Sequence, residues 1–257
     1  MIAFITGSGF YDFAGLDVQY VETPFGEAQF LAGTIGDRKA LLLPRHGAQH
    51  TNLPNHINHQ ANLVALKQAG ATAIVSLSVV GILDPNLPLG QPLVAKDIHF
   101  PDNRLSSGEI CTIFDQAGDP ARGHLLAESL VNHSLNAAIQ SLAEGQSMQA
   151  ASEGVYGHVN GPRFNTKSEI KALQAAGVDF ISQTCGPEAV LANELELPYS
   201  LVCFGVDYAN GVQTTPTPIE ELQGNLAASK SFFDHLVLGL AEPEGGYPFS
   251  NFVYRFE

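Results

Sequence analysis

Two rhythms of apolar and polar positions alternate along this 257-residue chain. Short apolar runs of strand length are "MIAFIT", "KALLLP", "ATAIVSLSVV" ending at Gly81, "VDFIS" and "YSLVCFGVDY". Each is rich in Val, Ile, Leu and Phe and is read as a buried strand, with "MQAASEGVYG" as a further one. Between them, apolar residues recur at helical spacing. "INHQANLVALKQAG" puts Ile57, Ala61 and Val64 on one face and closes at Gly70. Further helices are expected from about Leu125 to Leu142, after "NGPRFNT", over "PEAVLANELEL" and over "PIEELQGNLAASKSFFDHLVLGL". Thr166 and Glu169 form a T-x-x-E capping box. Thr217 is placed to cap the last helix, with Pro218 at its first position.

Strands alternating with helices predict an α/β fold: a central mixed sheet flanked by helices. No linker-like composition divides the chain, so residues 1–240 are read as one domain. Residues 241–257 form a C-terminal extension, expected to be an interface or a flexible tail. In such folds ligands gather beyond the carboxyl ends of the strands. The loops "GSG", "PRHG", "SVVG", "NGPRF", "SQTCGPE" and "VDYANG" each follow or lie close behind an apolar run and are the candidate site.

Composition removes several function classes. With 26 acidic and 12 basic residues the formal net charge is −14, which speaks against a nucleic-acid backbone binder and an anionic membrane surface. A small anion stays feasible, because one arginine with backbone N–H groups can hold it locally. The three cysteines, Cys111, Cys185 and Cys203, are widely spaced and lack a CxxC, as expected of a reducing compartment. The first residues carry no basic n-region, and the run Ala73 to Leu83 is too short to span a bilayer. A cytoplasmic protein is expected.

Candidate chemistry lies in the loops, and each motif has a plain reading beside the functional one. "TGSGF" around Ser8 is either a phosphate-binding turn or an ordinary one; it lacks a Walker lysine and the third dinucleotide glycine. His46, His50, His56 and His59 crowd one segment, but Gly47 and Pro54 interrupt the helix a zinc pair would need, and no metal is expected. Asp207 is either a turn residue or a part-buried carboxyl that shares a proton with a ligand nitrogen. Phe164 is either core packing or a platform for a flat heterocycle.

In this order the loops resemble the trimeric purine nucleoside phosphorylase and methylthioadenosine phosphorylase family. The resemblance rests on "ETPFG", "PRHGAQH", "INHQANLVALKQAGAT", "NGPRFNTKSEI" and "TCGPEAVLANELELPYS" and runs along almost the whole chain. It implies a nucleoside phosphorylase-like fold and phosphorolysis of a purine nucleoside, with inorganic phosphate as co-substrate and no cofactor or metal. Arg45, His46, Ser8, Ser78, Thr184 and the backbone at Val79 inherit phosphate binding. Phe164 inherits the base, the backbone at Gln183 the ribose, and Asp207 the catalytic proton to N7.

Asp207, with Asn165 where 6-oxopurine enzymes carry glutamate, implies a 6-aminopurine such as methylthioadenosine. Ala209, where a second aspartate is usual, keeps methylthioinosine or another 6-oxopurine nucleoside open. A hydrolase or a non-catalytic nucleoside binder is the reading from a different class. Ile219 and Leu222 would form the 5′ pocket. His124 would come from a neighbouring subunit of a homotrimer.

Overall fold

The computed structural model describes residues 1–7, 15–47, 49–145 and 151–255. In chain order the elements are β1 (Ile2–Thr6), β2 (Leu16–Thr23), β3 (Gly26–Ile35), β4 (Arg38–Pro44), α1 (His59–Gln68), β5 (Ala73–Ile82), β6 (Pro92–His99) and β7 (Gly123–Leu126). They continue with α2 (His133–Gly145), β8 (Ser152–His158), α3 (Lys167–Ala175), β9 (Phe180–Ser182), α4 (Cys185–Glu194), β10 (Tyr199–Tyr208), α5 (Ile219–Gly239) and β11 (Phe252–Arg255). A short 3₁₀ turn, Pro54–His56, precedes α1.

Nine strands form one mixed sheet in the order β10-β6-β8-β9-β5-β1-β4-β3-β2. A further pairing of β10 with β5 closes the first five strands into a ring. The remaining four extend from β5 as an open wing. The α/β class expected from the alternating patterns is the one observed. Among the described residues no helix is long and apolar enough to cross a membrane.

Strand alternation sorts the core into two layers. On β1, Ala3 and Ile5 point to the side covered by α1 and α4, with Leu41, Leu63, Leu66 and Leu191. Ile2 and Phe4 point to the side covered by α2 and α5, with Leu135, Ile139, Phe233 and Leu236. Because both faces are covered, these central strands read as continuous apolar runs. The wing is different: Val18 and Tyr20 of β2 are exposed, so neither β2 nor β3 carries the uninterrupted apolar run that marks the buried strands.

Helix ends follow local chemistry. Asn58 Oδ1 accepts from the Ala61 N–H at 3.1 Å and caps α1, which begins at His59, two residues beyond Ile57. Gly70, at φ +88°, lets the chain turn out of it. The Thr166–Glu169 capping box is present in both directions, at 3.4 and 2.7 Å. Two expectations are corrected. The helix predicted from Leu125 begins only at His133, because residues 123–126 pair as a strand with Phe252–Arg255. Thr217 does not cap α5, whose N-cap is Pro218 without a side-chain bond.

That strand pair also places the C-terminal segment. Val253 is buried, Asn132 Nδ2 donates to Pro248 O at 2.7 Å, and Asn251 Nδ2 donates to Asn193 Oδ1 at 2.7 Å. Arg255 pairs with Glu196 at 2.9 Å. Residues 248–255 thus pack as a ribbon on their own chain.

Candidate active site

The carboxyl ends of β1, β4, β5, β9 and β10 converge on a cavity of about 510 Å³. Arg45, His46, Ser78, Val79, Phe164, Asn165, Gln183, Thr184, Asp207, Ala209 and Leu222 all line it. Eleven positions singled out from the sequence therefore share one space. Three do not. Ile219, in the first turn of α5, is 60% exposed and absent from the wall; only Leu222, one turn on, reaches the cavity. His124 lies on β7, opposite Tyr254 of β11 and off this chain's cavity wall. Ser8 lies outside the described residues.

One end of the cavity is built around Arg45. Its backbone N–H donates to Thr6 O at 3.0 Å, which ties the end of β4 to the end of β1. Its side chain runs inward and is only 2% exposed. Nε donates to Glu188 Oε1 at 2.7 Å and Nη2 to Oε2 at 2.9 Å, a parallel two-point pair. Nη1 donates to Leu77 O at 2.7 Å and stands beside Gly7, where a Cβ would approach it to 3.3 Å. Ser76 Oγ adds a 2.6 Å bond to Glu188 Oε2.

Burial alone would lower the Arg45 pKa, but the Glu188 charge, together with Cys185, the hydrogen bonds to Glu188, and Tyr199, outweighs it and the net shift is upward. Burial would likewise raise Glu188, and the Arg45 charge and hydrogen bonds hold it below the usual carboxylate range. Both groups are charged. The sequence shows Arg45 as one permanent charge and does not show its partner. In the structure the arginine presents a directional donor whose charge is balanced by Glu188.

His46 follows on a compact turn in which Gly47 N donates to Pro44 O and Asn52 N to His46 O. Gly47 is at φ +80°, a conformation glycine adopts without strain. The turn sets the His46 Nδ1 proton on Asn52 O at 2.8 Å and leaves Nε2 as an acceptor. Burial and then the Arg45 charge pull its pKa down to about 4, so the imidazole is neutral at pH 7. Behind it, burial takes His59 to about 4 and His158 to about 3.

Thr184 closes this end. It is the N-cap residue of α4 and makes no side-chain capping bond to the backbone; its hydroxyl meets Cys185 Sγ at 3.4 Å. The positive end of the α4 dipole points the same way. Ser78 Oγ lies 3.1 Å from Ser182 Oγ, which in turn meets the Tyr156 hydroxyl at 2.8 Å. A neutral imidazole acceptor, a shielded guanidinium, hydroxyls and a helix N-terminus together suit a partly protonated oxyanion.

The other end is bordered by Phe164, Asn165, Asp207, Ala209 and Leu222. Phe164 is 83% exposed, so it is not the core residue of its bland reading; its ring borders the cavity. Asn210 Nδ2 donates to Asn165 O at 2.7 Å and joins the two loops there. Gln183 Nε2 donates to Arg163 O at 3.0 Å.

Asp207 reaches the wall through a β-bulge. Pairing with β5 runs Gly205 to Val80 and then Asp207 to Gly81, so Val206 is the extra residue that re-aims the strand. Thr217 Oγ1 donates to Asp207 Oδ1 at 2.5 Å. Sequence reasoning missed two partners, Glu188 and Thr217. The Pro187–Glu188 pair was visible as a motif, but nothing local could link it to an arginine 143 positions away.

This geometry sits on a chain that matches the phosphorylase superfamily over residues 1–242. Among its relatives, a probable 6-oxopurine nucleoside phosphorylase of Moorella thermoacetica is 32% identical over 86% of this chain and 84% of its own length. An S-methyl-5′-thioadenosine phosphorylase of Mycobacterium tuberculosis is 35% identical over 82% of this chain and 77% of its own. A methylthioadenosine phosphorylase of Schistosoma mansoni, solved in complex with adenine, superposes with a TM-score of 0.81 at 25% identity. That superposition covers 93% of this chain and 89% of the other. Ring closure, strand-end cavity and sequence likeness agree: the chain belongs to the phosphorylase superfamily.

Proposed function

We propose that this protein is a pentosyltransferase that cleaves a purine nucleoside with inorganic phosphate, and that its substrate is S-methyl-5′-thioadenosine. The products are adenine and 5-methylthioribose 1-phosphate. One observation carries the reading: a single cavity has Arg45, His46 and Thr184 at one end and Phe164 with Asp207 at the other.

Phosphate sits on Arg45 Nη1, the Ser78 and Thr184 hydroxyls and the amide at Val79, with its own P–OH donated to neutral His46. Held beneath the ribose, it attacks C1′ as the bond to N9 breaks. The transition state is oxocarbenium-like, as in glycoside cleavage generally, and positioning supplies much of the acceleration. Asp207 protonates N7 of the departing base. In the overall balance the hydrogen of monohydrogen phosphate ends on the free purine. Phe164 covers the base, the Gln183 backbone meets the ribose hydroxyls, and Leu222 contacts the 5′ substituent. Phosphate is a co-substrate, and this chemistry calls for no cofactor or metal.

A 6-oxopurine nucleoside such as methylthioinosine is the second reading. Ala209 favours it, since a methyl group stands on the wall two residues beyond Asp207. A cytoplasmic homotrimer completes the proposal, with a neighbour's His124 covering the 5′ end. The open exposure of Phe164 supports a covering partner, as do the exposed Leu126 and Phe252 on the ribbon that carries His124.

The test is release of free base from methylthioadenosine, methylthioinosine, adenosine and inosine, each with and without phosphate. Phosphate-dependent adenine release, fastest from methylthioadenosine, is expected. Equal release without phosphate would overturn the role given to Arg45 and His46. Hypoxanthine as the main product would establish the second reading. Sedimentation at equilibrium checks the trimer.

A further inference from the structure

Thr217 lies one residue before Pro218, the N-cap of α5, and the helix begins without a side-chain cap. The hydroxyl instead reaches back ten residues and donates to Asp207 Oδ1 at 2.5 Å. Thr217 is half-buried and is not on the cavity wall, so it acts on a ligand only through Asp207.

We propose that Thr217 is a positioning residue that divides the two oxygens of Asp207 into one donor and one acceptor, and so sets the preference for a 6-aminopurine. The inference rests on the reading of Asp207 as the acid that faces N7. A threonine hydroxyl has one proton, and here it points at Oδ1. Oδ1 is thereby occupied as an acceptor, and the proton of a neutral Asp207 resides on Oδ2. Facing the edge of a purine, Oδ2–H then donates to N7. The second lone pair of Oδ1 is left to accept from the 6-substituent. An amino group can supply that hydrogen. A 6-oxo group cannot, and would set two acceptors against each other.

The same contact explains why one carboxylate can suffice at this edge. Nothing at position 209 can share the task, since Ala209 has only a methyl group. The half-buried Thr217, fixed at the head of a long helix, supplies the second constraint on the carboxyl plane. Without the hydroxyl the proton can ride on either oxygen and the plane can turn. The carboxyl then serves a 6-oxo group nearly as well, by donating to it.

The experiment compares wild type with Thr217→Val, which keeps shape and removes the hydroxyl, and Thr217→Ser, which keeps the hydroxyl. For each, the dissociation constants of adenine and hypoxanthine are measured by calorimetry in phosphate buffer. kcat/KM is measured for methylthioadenosine and methylthioinosine. Thr217→Val is expected to reduce the adenine-over-hypoxanthine preference about tenfold in both readouts, the size of one hydrogen bond to a charged or acidic group. Thr217→Ser is expected to stay within about threefold of wild type.

Loss of both bases in equal proportion, or an unchanged ratio, would overturn the proposal and leave Thr217 a structural residue. A wild type that binds hypoxanthine as well as adenine would overturn it too. Failure of the phosphorolysis reading looks different. There the base preference would respond to Thr217, while no nucleoside would be cleaved in a phosphate-dependent way.

Discussion

Arg45 enters the cavity with its charge already answered by Glu188, through two contacts of 2.7 and 2.9 Å between side chains that are each 1% exposed. The pair makes an oxyanion site of an unusual temper. It offers fixed donors without a large positive field, in a protein whose surface is strongly acidic. Breaking a buried pair leaves an uncompensated charge, which costs about 3–5 kcal/mol.

Glu188→Gln is therefore expected to lower unfolding stability by an amount of about that size. Phosphate should stabilise the variant more than it does wild type, because the anion replaces the missing counter-charge. Thermal melts with and without phosphate check this. An equal shift in both proteins would show that Arg45 does not face the anion.

Stability should depend on pH through the buried histidines. His59 and His158 titrate near 4 and 3 in the folded chain against 6.5 in the unfolded one. As pH falls below 6.5 the unfolded chain takes up protons that the folded chain refuses. Their contribution is complete above pH 6.5 and is lost toward pH 4, at about 1.4 kcal/mol per pH unit for each. His46 acts in the same direction, less strongly because solvent screens it. Below pH 4.5 the depressed Glu188 adds to the loss. Urea midpoints at pH 7, 6 and 5 should fall steadily; a flat series would contradict the burial of neutral imidazoles.

Asp207→Asn is expected to reduce kcat for an aminopurine nucleoside at least about 100-fold, the usual contribution of a positioned general acid. The KM for phosphate should stay near wild type, since Asp207 lies at the opposite end of the cavity. Steady-state kinetics with each substrate varied separates the two. A matching rise in the phosphate KM would place Asp207 in the anion site instead.

Gly161→Ala tests the loop without touching a proposed ligand contact. A Cβ at Gly161 would fall 2.2 Å from Gln183 Oε1 and 2.8 Å from its Cδ. The glutamine must swing away, breaking its bond to Arg163 O. The nucleoside KM should rise several-fold, within the cost of about one hydrogen bond, while the unfolding midpoint changes little. Unchanged kinetics would mean that the Gln183 side chain can leave without moving its backbone.

Much of the architecture is written in local chemistry. Strands β1, β4, β5 and β10 are covered on both faces, so burial demands continuous apolar runs, and those runs mark them. The capping box and Gly70 are contained within a few residues and work as local rules require. The candidate loops could be named for the same reason, since each hangs from a strand end that the apolar pattern locates. Where one face is wet the signal fades, as for β2, and where a short strand finds its partner 126 positions later, as Leu126 does in Phe252, an apolar pattern passes for helix. Length of separation, not weakness of interaction, hid these elements.

What tertiary structure alone decided is how the polar groups spend their bonds. Arg45 is a lone cation in the sequence and half of an ion pair in space. Thr217 is a candidate helix cap in the sequence and a partner of Asp207 in space. Ile219 and Leu222 lie three apart, yet only one of them reaches the cavity. A sequence specifies residue types and the periodicity of burial, which set the fold. Hydrogen bonds are directional and short, so their pairing exists only once β10 has closed on β5 and brought the strand ends together.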